Sequence, residues 1–256
     1  MSDQTMPPTK PGDILNWPML KIRYLSDTDS VAKLLPPGIQ PGKEPGVTIT
    51  IYNFPVLGEP EYGCVVNVDA TYNDIEGEYT LGIGIDQEAA IYSSQERWGQ
   101  PKFYADTQYY RLMDYVSAKV SHRGYTFLEF NGQVTGEGEK PAEFETNEWW
   151  IKHLRGVDME NPSWDFPPHV VRVYAKYGTA QVEKLQGQVK LLDSPWDPIA
   201  KHLPMRSEAE AWLWTPIFLD RRITLEGPLD AEAFWPYADT IGGSRWPGEN
   251  GAPKKD

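Results

Sequence analysis

Residues 46–54 read Gly-Val-Thr-Ile-Thr-Ile-Tyr-Asn-Phe, an alternation of apolar and polar side chains that is rich in β-branched residues. Successive side chains of a strand point to opposite faces, so this pattern predicts a half-buried β-strand. Residues 64–72 and 79–85 show similar runs and predict a second and a third strand. The chain is therefore expected to be built around a β-sheet.

The rest of the sequence extends this pattern in short pieces. The chain has 256 residues with 23 prolines and 22 glycines, a frequency that argues against long helices. Further strands are predicted over residues 113–122, 125–135, 143–144, 149–153, 169–174 and 180–191. Short helical turns are predicted from Ser26 or Asp27 to Lys33, and over residues 197–202, 207–212 and 230–234. The predicted fold class is mainly β (α+β), a large antiparallel sheet with a few short helices.

Charge and cysteine content limit the classes of partner. The formal net charge is −13, which would repel nucleic acid and anionic membrane surfaces, so neither is expected as a partner. Cys64 is the only cysteine and excludes an intramolecular disulfide, and the four histidines follow no metal-binding spacing, so no metal is expected. Residues 1–12 are polar and resemble neither a signal peptide nor a membrane span. We expect a cytoplasmic protein with a flexible arm (1–12), a single domain (13–241) and a flexible tail (242–256).

Chemistry is suggested by residues 96–106, which read Glu-Arg-Trp-Gly-Gln-Pro-Lys-Phe-Tyr-Ala-Asp. Lys102 lies here between a proline and an aromatic pair. A lysine is ordinarily protonated at neutral pH, but burial lowers its pKa and leaves a neutral amine that can attack a carbonyl. Trp98, Phe103 and Tyr104 can supply the apolar walls. The alternative is a surface lysine whose stem lies along apolar residues while its ammonium stays in water.

The wider region around Lys102 resembles the acetoacetate decarboxylase family. The resemblance rests on residues 77–79, 86–91, Glu96 and 98–102, which match in order and without a gap. Weaker matches are residues 24–37, 63–64 and 214–219, so that the resemblance extends over residues 13–225. It identifies a divergent member, and implies a cone-shaped β-barrel, a homo-oligomer, no cofactor and a Schiff-base lysine at Lys102.

The sequence also departs from the family pattern. The second lysine that follows the nucleophile in founding members is replaced by Phe103, which leaves desolvation as the cause of a lowered pKa. The family's site arginine falls on Trp17, and its two site glutamates fall on Thr50 and Asn67. Three charged groups would thus have become neutral. A change of register could bring in another acid in place of the two glutamates, from Glu44, Glu59, Glu61 or Asp69.

The candidate site follows from these matches and from the local aromatic residues. Lys102 is the expected catalytic residue. The expected substrate-binding residues are Trp17, Thr50, Asn67, Trp98, Gln100, Phe103 and Tyr104. Glu96 and Tyr237 are candidate acid or base groups, although an extended chain would need a bend at residues 99–101 to bring Glu96 near Lys102.

The predicted function is that of a Schiff-base-forming lyase acting on a small or aryl-substituted keto acid or ketone. Its reaction is either decarboxylation of a β-keto acid or aldolase-dehydratase chemistry with pyruvate and an aldehyde. Ten tryptophans and 14 tyrosines suit an aromatic substrate, although many of them will fill the core. The alternative is a non-catalytic binding protein on the same barrel, which holds a carboxylate or apolar ligand.

Overall fold

A computed structural model describes residues 18–56, 59–158 and 160–238 of the chain. The predicted arm (1–12), the predicted tail (242–256) and Trp17 lie outside the described residues, and the bounds of the domain stay a prediction. Strands dominate: β1 Met19–Leu25, β2 Gln40–Pro41, β3 Gly46–Val56, β4 Glu59–Tyr72, β5 Ile75–Ile85, β6 Lys102–Tyr104, β7 Asp106–Leu112, β8 Tyr115–His122, β9 Tyr125–Glu137, β10 Phe144–Arg155, β11 Trp164–Leu191 and β12 Glu210–Pro228. The helices are α1 Thr28–Ala32, α2 Glu88–Trp98 and α3 Ile199–His202, with a 3₁₀ turn at Trp235–Tyr237.

The strands form one sheet in the order β10-β5-β4-β3-β1-β12-β11-β9-β8-β7. Because β10 also pairs with β11, the path from β10 to β11 returns on itself as a ring. The mainly β class is confirmed. The sheet is mixed rather than antiparallel throughout, because β5 pairs in parallel with both β10 and β6. The cone shape of the ring stays a prediction.

The strand β11 connects the ring to the remaining sheet. Its first part pairs with β10, its last part pairs with β9, and β12 runs along most of its length. Register shifts interrupt the ladder with β12 and allow the long strand to bend. Strands β7, β8 and β9 thereby fold back over the outside of the ring.

The alternation seen in the sequence separates two environments. Apolar residues of β1, β3 and β4, such as Leu20, Ile49 and Val66, pack with Val120 and Phe130 of β8 and β9 in the main core. The intervening polar residues face the inside of the ring. They are buried as well, because Thr48 and Thr50 are 7% and 6% exposed. Strand β3 is therefore covered on both faces rather than half-buried.

The helices differ from expectation in two places. The short turns at α1 and α3 and a turn after residue 230 are present, followed by the 3₁₀ turn. The helix predicted over residues 207–212 is wrong, because β12 begins at Glu210 and pairs with β1. Helix α2 was not expected, and only three of its residues, Ala90, Ile91 and Ser94, are buried. In the described part of the chain, no helix is both long and apolar enough to cross a bilayer.

Helix α2 ends at Gly99, which turns the chain toward β6. Gly99 has φ +67°, and its amide donates to the carbonyl oxygen of Gln95 at 2.9 Å. A Cβ at this position would lie only 2.5 Å from the Cα of Lys152 on β10. The turn therefore requires glycine both for its backbone conformation and for the close approach of the neighbouring strand.

We expect Gly99→Ala to lower the free energy of unfolding by about 3 kcal/mol, because left-handed strain adds to a backbone clash. Gly124→Ala is the matched control, because Gly124 also has a positive φ of +84° but its Cβ would meet nothing within 4 Å. Its loss should be about 1 kcal/mol, from strain alone. Urea unfolding of both variants measures the difference, and equal losses would contradict the steric account.

Candidate active site

The inside of the ring holds a cavity of about 1250 Å³. Its walls carry the inward-facing residues of β1, β3, β4, β5, β10, β11 and β12, together with part of α2. Large aromatic side chains form much of the apolar surface, among them Trp98, Phe144, Trp150, Trp214 and Phe218. The cavity is the natural place for a ligand, because it combines apolar walls with a few buried polar groups.

Lys102 enters this cavity from β6, a short strand that follows the turn after α2. It pairs in parallel with Ile83 of β5, and its carbonyl oxygen accepts a 2.6 Å hydrogen bond from the Nε2 of Gln95. The Lys102 amide also donates to the Gln100 carbonyl oxygen at 2.7 Å. The backbone of Lys102 is thus held by a strand and by a helix, and its side chain is 9% exposed.

Glu61 is the nearest charged neighbour of Lys102. Its Oε2 lies 3.3 Å from Lys102 Nζ, and its Oε1 accepts a 2.8 Å hydrogen bond from the Tyr52 hydroxyl. Burial, together with the nearby Glu61, holds the pKa of Tyr52 well above its usual range, so the phenol remains a donor. The Glu61 carboxylate is therefore held by one donor on each oxygen.

Burial lowers the pKa of Lys102, because the apolar surroundings disfavour the ammonium form. The Glu61 carboxylate opposes this shift, and Arg221 adds to it. The net direction is downward. A neutral amine next to a carboxylate that can accept or return a proton is the arrangement that an imine-forming lysine requires.

A second lysine, Lys21, lies in the same cavity but in a different environment. Its Nζ donates to Thr50 Oγ1 at 2.7 Å and lies 5.4 Å from the centroid of the Trp214 ring. Burial lowers the pKa of Lys21 as well, while Glu78 and Glu148 both oppose the shift. The two lysines differ in their charged neighbours: two carboxylates oppose the shift at Lys21, whereas Glu61 opposes it and Arg221 adds to it at Lys102.

Glu148 of β10 brings a further carboxyl group to the cavity wall. Its Oε1 accepts hydrogen bonds from Thr80 Oγ1 and from Trp150 Nε1, each at 2.5 Å. Burial raises the pKa of Glu148, and the two donors oppose that effect. Nearby, Asn67 Nδ2 donates to Glu78 Oε2 at 2.9 Å.

The structure brings together five of the residues that the sequence singled out. Thr50, Asn67, Trp98 and Gln100 line the cavity with Lys102. The described side chains include no group of three or more His, Cys, Asp or Glu arranged to hold a metal ion.

Four other candidates are not among the residues that line the cavity. Phe103 packs against His122 with 4.9 Å between ring centroids, and Tyr104 is 51% exposed and donates to Asp106. Tyr237 stacks on Phe234. Glu96 is exposed on α2, and the chain does bend at Gly99, but Glu96 is not among the residues that line the cavity.

The charged residues of the cavity were only partly anticipated. Glu61 was one of four acids considered as replacements, and the structure selects it by placing it next to Lys102. Lys21, Glu148 and Arg221 were not anticipated. Their sequence signal is a charged side chain at an inward position of a strand, and the sequence alone does not show that this face encloses a cavity instead of meeting solvent.

The profile of the acetoacetate decarboxylase (ADC) family matches residues 2–226. No curated protein matches the chain in sequence. A solved acetoacetate decarboxylase has 14% identity and a TM-score of 0.71, covering 86% of this chain and 91% of that chain.

Two further solved structures are similar in fold. Acetoacetate decarboxylase from Legionella pneumophila has 18% identity and a TM-score of 0.69, over 88% of this chain and 90% of that chain. The enduracididine biosynthesis enzyme MppR, complexed with the condensation product of pyruvate and imidazole 4-carboxaldehyde, has 13% identity and a TM-score of 0.63. The match covers 87% of this chain and 91% of that chain. At these identities the likeness is one of fold.

Two substitutions are expected to move the pKa of Lys102 in opposite directions. Glu61→Gln removes the carboxylate that stabilises the ammonium and should lower the pKa further, whereas Arg221→Met removes a nearby cation and should raise it. The pH dependence of Lys102 acetylation by acetic anhydride, read by peptide mass analysis, measures both. Shifts of the same sign would contradict this account of the site.

Proposed function

The chain belongs to the acetoacetate decarboxylase family, and from this premise we propose that it is a lyase whose Lys102 forms an imine with a keto acid. The observation that carries the proposal is a buried lysine, of lowered pKa, 3.3 Å from a carboxylate inside a large cavity. Fold alone does not fix activity, so the proposal rests on this pair of side chains.

The proposed reaction starts with attack of the neutral Lys102 amine on the ketone carbon. The carbonyl oxygen takes up a proton from solvent water, and the amine nitrogen loses one to Glu61. A second proton transfer from Glu61 to the hydroxyl group lets water leave, and the C=N bond forms as a cationic iminium. The Glu61 carboxylate then faces the iminium at the position where it faced the ammonium, and so stabilises the charged intermediate.

Arg221 is the proposed anchor for the substrate carboxylate. Arg221 lines the cavity and is exposed, and its side chain makes no ion pair or hydrogen bond with the described residues. A guanidinium binds a carboxylate with two parallel hydrogen bonds and fixes its orientation. Arg221 would thus supply the cation that the sequence match at Trp17 lacked.

The size and the walls of the cavity favour a substrate larger than a simple keto acid. A volume of about 1250 Å³ exceeds the ~300–1,000 Å³ of most ligand pockets. Its aromatic walls suit a ring, because aromatic side chains pack on one another with a preferred geometry. Two reactions fit: decarboxylation of an aryl-substituted β-keto acid, or condensation of pyruvate with an aryl aldehyde followed by loss of water.

The second candidate function is a binding protein in which Lys102 stays charged and captures an anion. The observation that favours it is the carboxylate of Glu61, which stabilises the ammonium form of Lys102. In that case the lysine would not react with a carbonyl. The two functions are separated by a test for the covalent bond.

Borohydride reduction in the presence of acetoacetate or pyruvate should leave a stable adduct on Lys102, because reduction converts the imine to a secondary amine. Peptide mass analysis locates the adduct, and Lys102→Ala should abolish it. Lys21→Met is the matched control, because it removes the other cavity lysine and should leave the adduct in place. An adduct on Lys21, or no adduct with either compound, would reject the assignment of Lys102.

Carbon dioxide release from β-keto acids, measured against condensation of pyruvate with benzaldehyde, then separates the two reactions.

Arg221→Met should raise the half-saturating concentration of pyruvate in the trapping reaction by about 10- to 100-fold, because charge-assisted hydrogen bonds are lost. Acetone is the control substrate, because it forms the same imine without a carboxylate. The ratio of pyruvate to acetone affinity cancels any change in the pKa of Lys102. An unchanged ratio would show that the carboxylate binds elsewhere.

A further inference from the structure

Glu148 and Lys102 lie on the same wall of the cavity at a separation suited to one substrate. Lys102 pairs with Ile83 of β5, and the Glu148 carboxyl is bonded to Thr80, three residues earlier on the same strand. Three residues of a strand span about 10 Å. A lysine side chain with a keto acid attached can bridge this gap, which brings carbon atoms of the imine toward Glu148.

The two oxygens of Glu148 have different surroundings. Oε1 accepts both donors, the Thr80 hydroxyl and the Trp150 indole, and these donors are each 1% exposed. Oε2 has no hydrogen bond from any residue that the structure describes. Because Glu148 lines the cavity, one carboxyl oxygen is fixed by the wall and the other is left for a ligand.

Glu148 also differs from Glu61 in its hydrogen-bond partners. Glu61 already shares its two oxygens between Lys102 and Tyr52. Burial raises the pKa of Glu148, which favours its protonated form more than that of an exposed glutamate. The charged and titratable groups that face Glu148 from the neighbouring strands are Lys21 of β1, Tyr52 of β3, Glu78 of β5, Tyr177 of β11 and Arg221 of β12.

We propose that Glu148 is a second catalytic residue, which exchanges a proton with the substrate carbon next to the imine. This inference rests on the proposed function of Lys102 and adds the group that completes the reaction on carbon. Glu61 then serves the nitrogen and oxygen atoms of imine formation, and Glu148 serves the carbon atom. The two carboxyl groups thus divide the proton transfers of one reaction.

In the decarboxylation route, loss of carbon dioxide leaves an enamine on Lys102. The enamine C=C electron pair takes the proton of the Glu148 carboxyl, a C–H bond forms, and the nitrogen lone pair restores the C=N bond as iminium. Water then hydrolyses the iminium to ketone and amine, and solvent returns a proton to the Glu148 carboxylate. With pyruvate the same step runs in reverse, because the carboxylate removes a methyl proton from the iminium to form the enamine.

The reverse step provides the test: the protein should exchange the methyl protons of pyruvate for deuterium in D₂O, measured by NMR. In Glu148→Gln the exchange rate should fall by about 100-fold or more, because an amide cannot carry the proton. The borohydride adduct on Lys102 should still form to a similar extent. Glu143→Gln removes an exposed acid that pairs with Lys176 outside the cavity and should exchange as the parent does.

The outcomes separate this inference from the proposed function. If Glu148→Gln forms the adduct but loses exchange, both the proposed function and the role of Glu148 are supported. If it forms the adduct and its exchange rate falls less than tenfold, the role of Glu148 is overturned. Absence of the adduct in the parent protein overturns the proposed function itself. A Glu148→Gln protein that has lost its fold is recognised by its circular dichroism spectrum. In that case the Thr80→Val variant tests the role of Glu148.

Thr80→Val supplies that second measurement and keeps the carboxyl in place. The variant removes one donor to the Glu148 carboxylate, and this loss should raise the pKa of Glu148. Exchange begins with the carboxylate acting as a base, so its rate increases as pH rises through that pKa. The midpoint of the rise should move to higher pH in Thr80→Val, and an unchanged midpoint would overturn the role of Glu148.

Discussion

The enclosure of charged side chains inside a closed ring of strands is the constraint on which the rest of the structure depends. Transfer of a charged group out of water is unfavourable unless it is paired or hydrogen-bonded. The ring satisfies this condition for each pair: Lys102 meets Glu61, Arg23 meets Asp69 at 2.7 Å, and the carboxyl of Glu148 holds two donors. These partners offset only part of the cost of desolvation, and the part that remains shifts the pKa values of Lys102 and Glu148. Stability and reactivity therefore have the same physical origin.

The fold separates support from chemistry by the two faces of each strand. Outward residues of β1, β3 and β4 pack against β8 and β9, and inward residues carry the polar groups of the cavity. Lys102 is positioned differently, because it sits on a three-residue strand that is added to β5 after α2 and the Gly99 turn. Because β6 lies outside the strand order of the ring, it can place a side chain in the cavity without breaking the pairing of the ring strands.

The sequence predicted those features that depend on local pattern. The alternation over residues 46–54 predicted β3, and the run around Lys102, with its family resemblance, led to the cavity. Helix α2 was not predicted because it buries few apolar side chains, so its hydrophobic periodicity is weak. Glu148 could not be found from spacing, since it meets Thr80, 68 positions away, only through the parallel pairing of β10 with β5. Arg221 depends in the same way on the closure of the ring.

Desolvation acts on Lys102 and Glu148 in opposite directions but with one chemical result. It lowers the pKa of the amine and raises the pKa of the carboxyl, so it favours the uncharged form of both. A neutral amine can attack a carbonyl, and a neutral carboxyl can supply the proton that the enamine carbon takes up later in the proposed reaction. In the proposed reaction the iminium puts a cation in place of the amine, and the Glu61 carboxylate lies 3.3 Å from that nitrogen position. Under this proposal, the group that most opposes the loss of the lysine's proton would also stabilise the charged intermediate, which is the difference in stabilisation that accelerates a reaction.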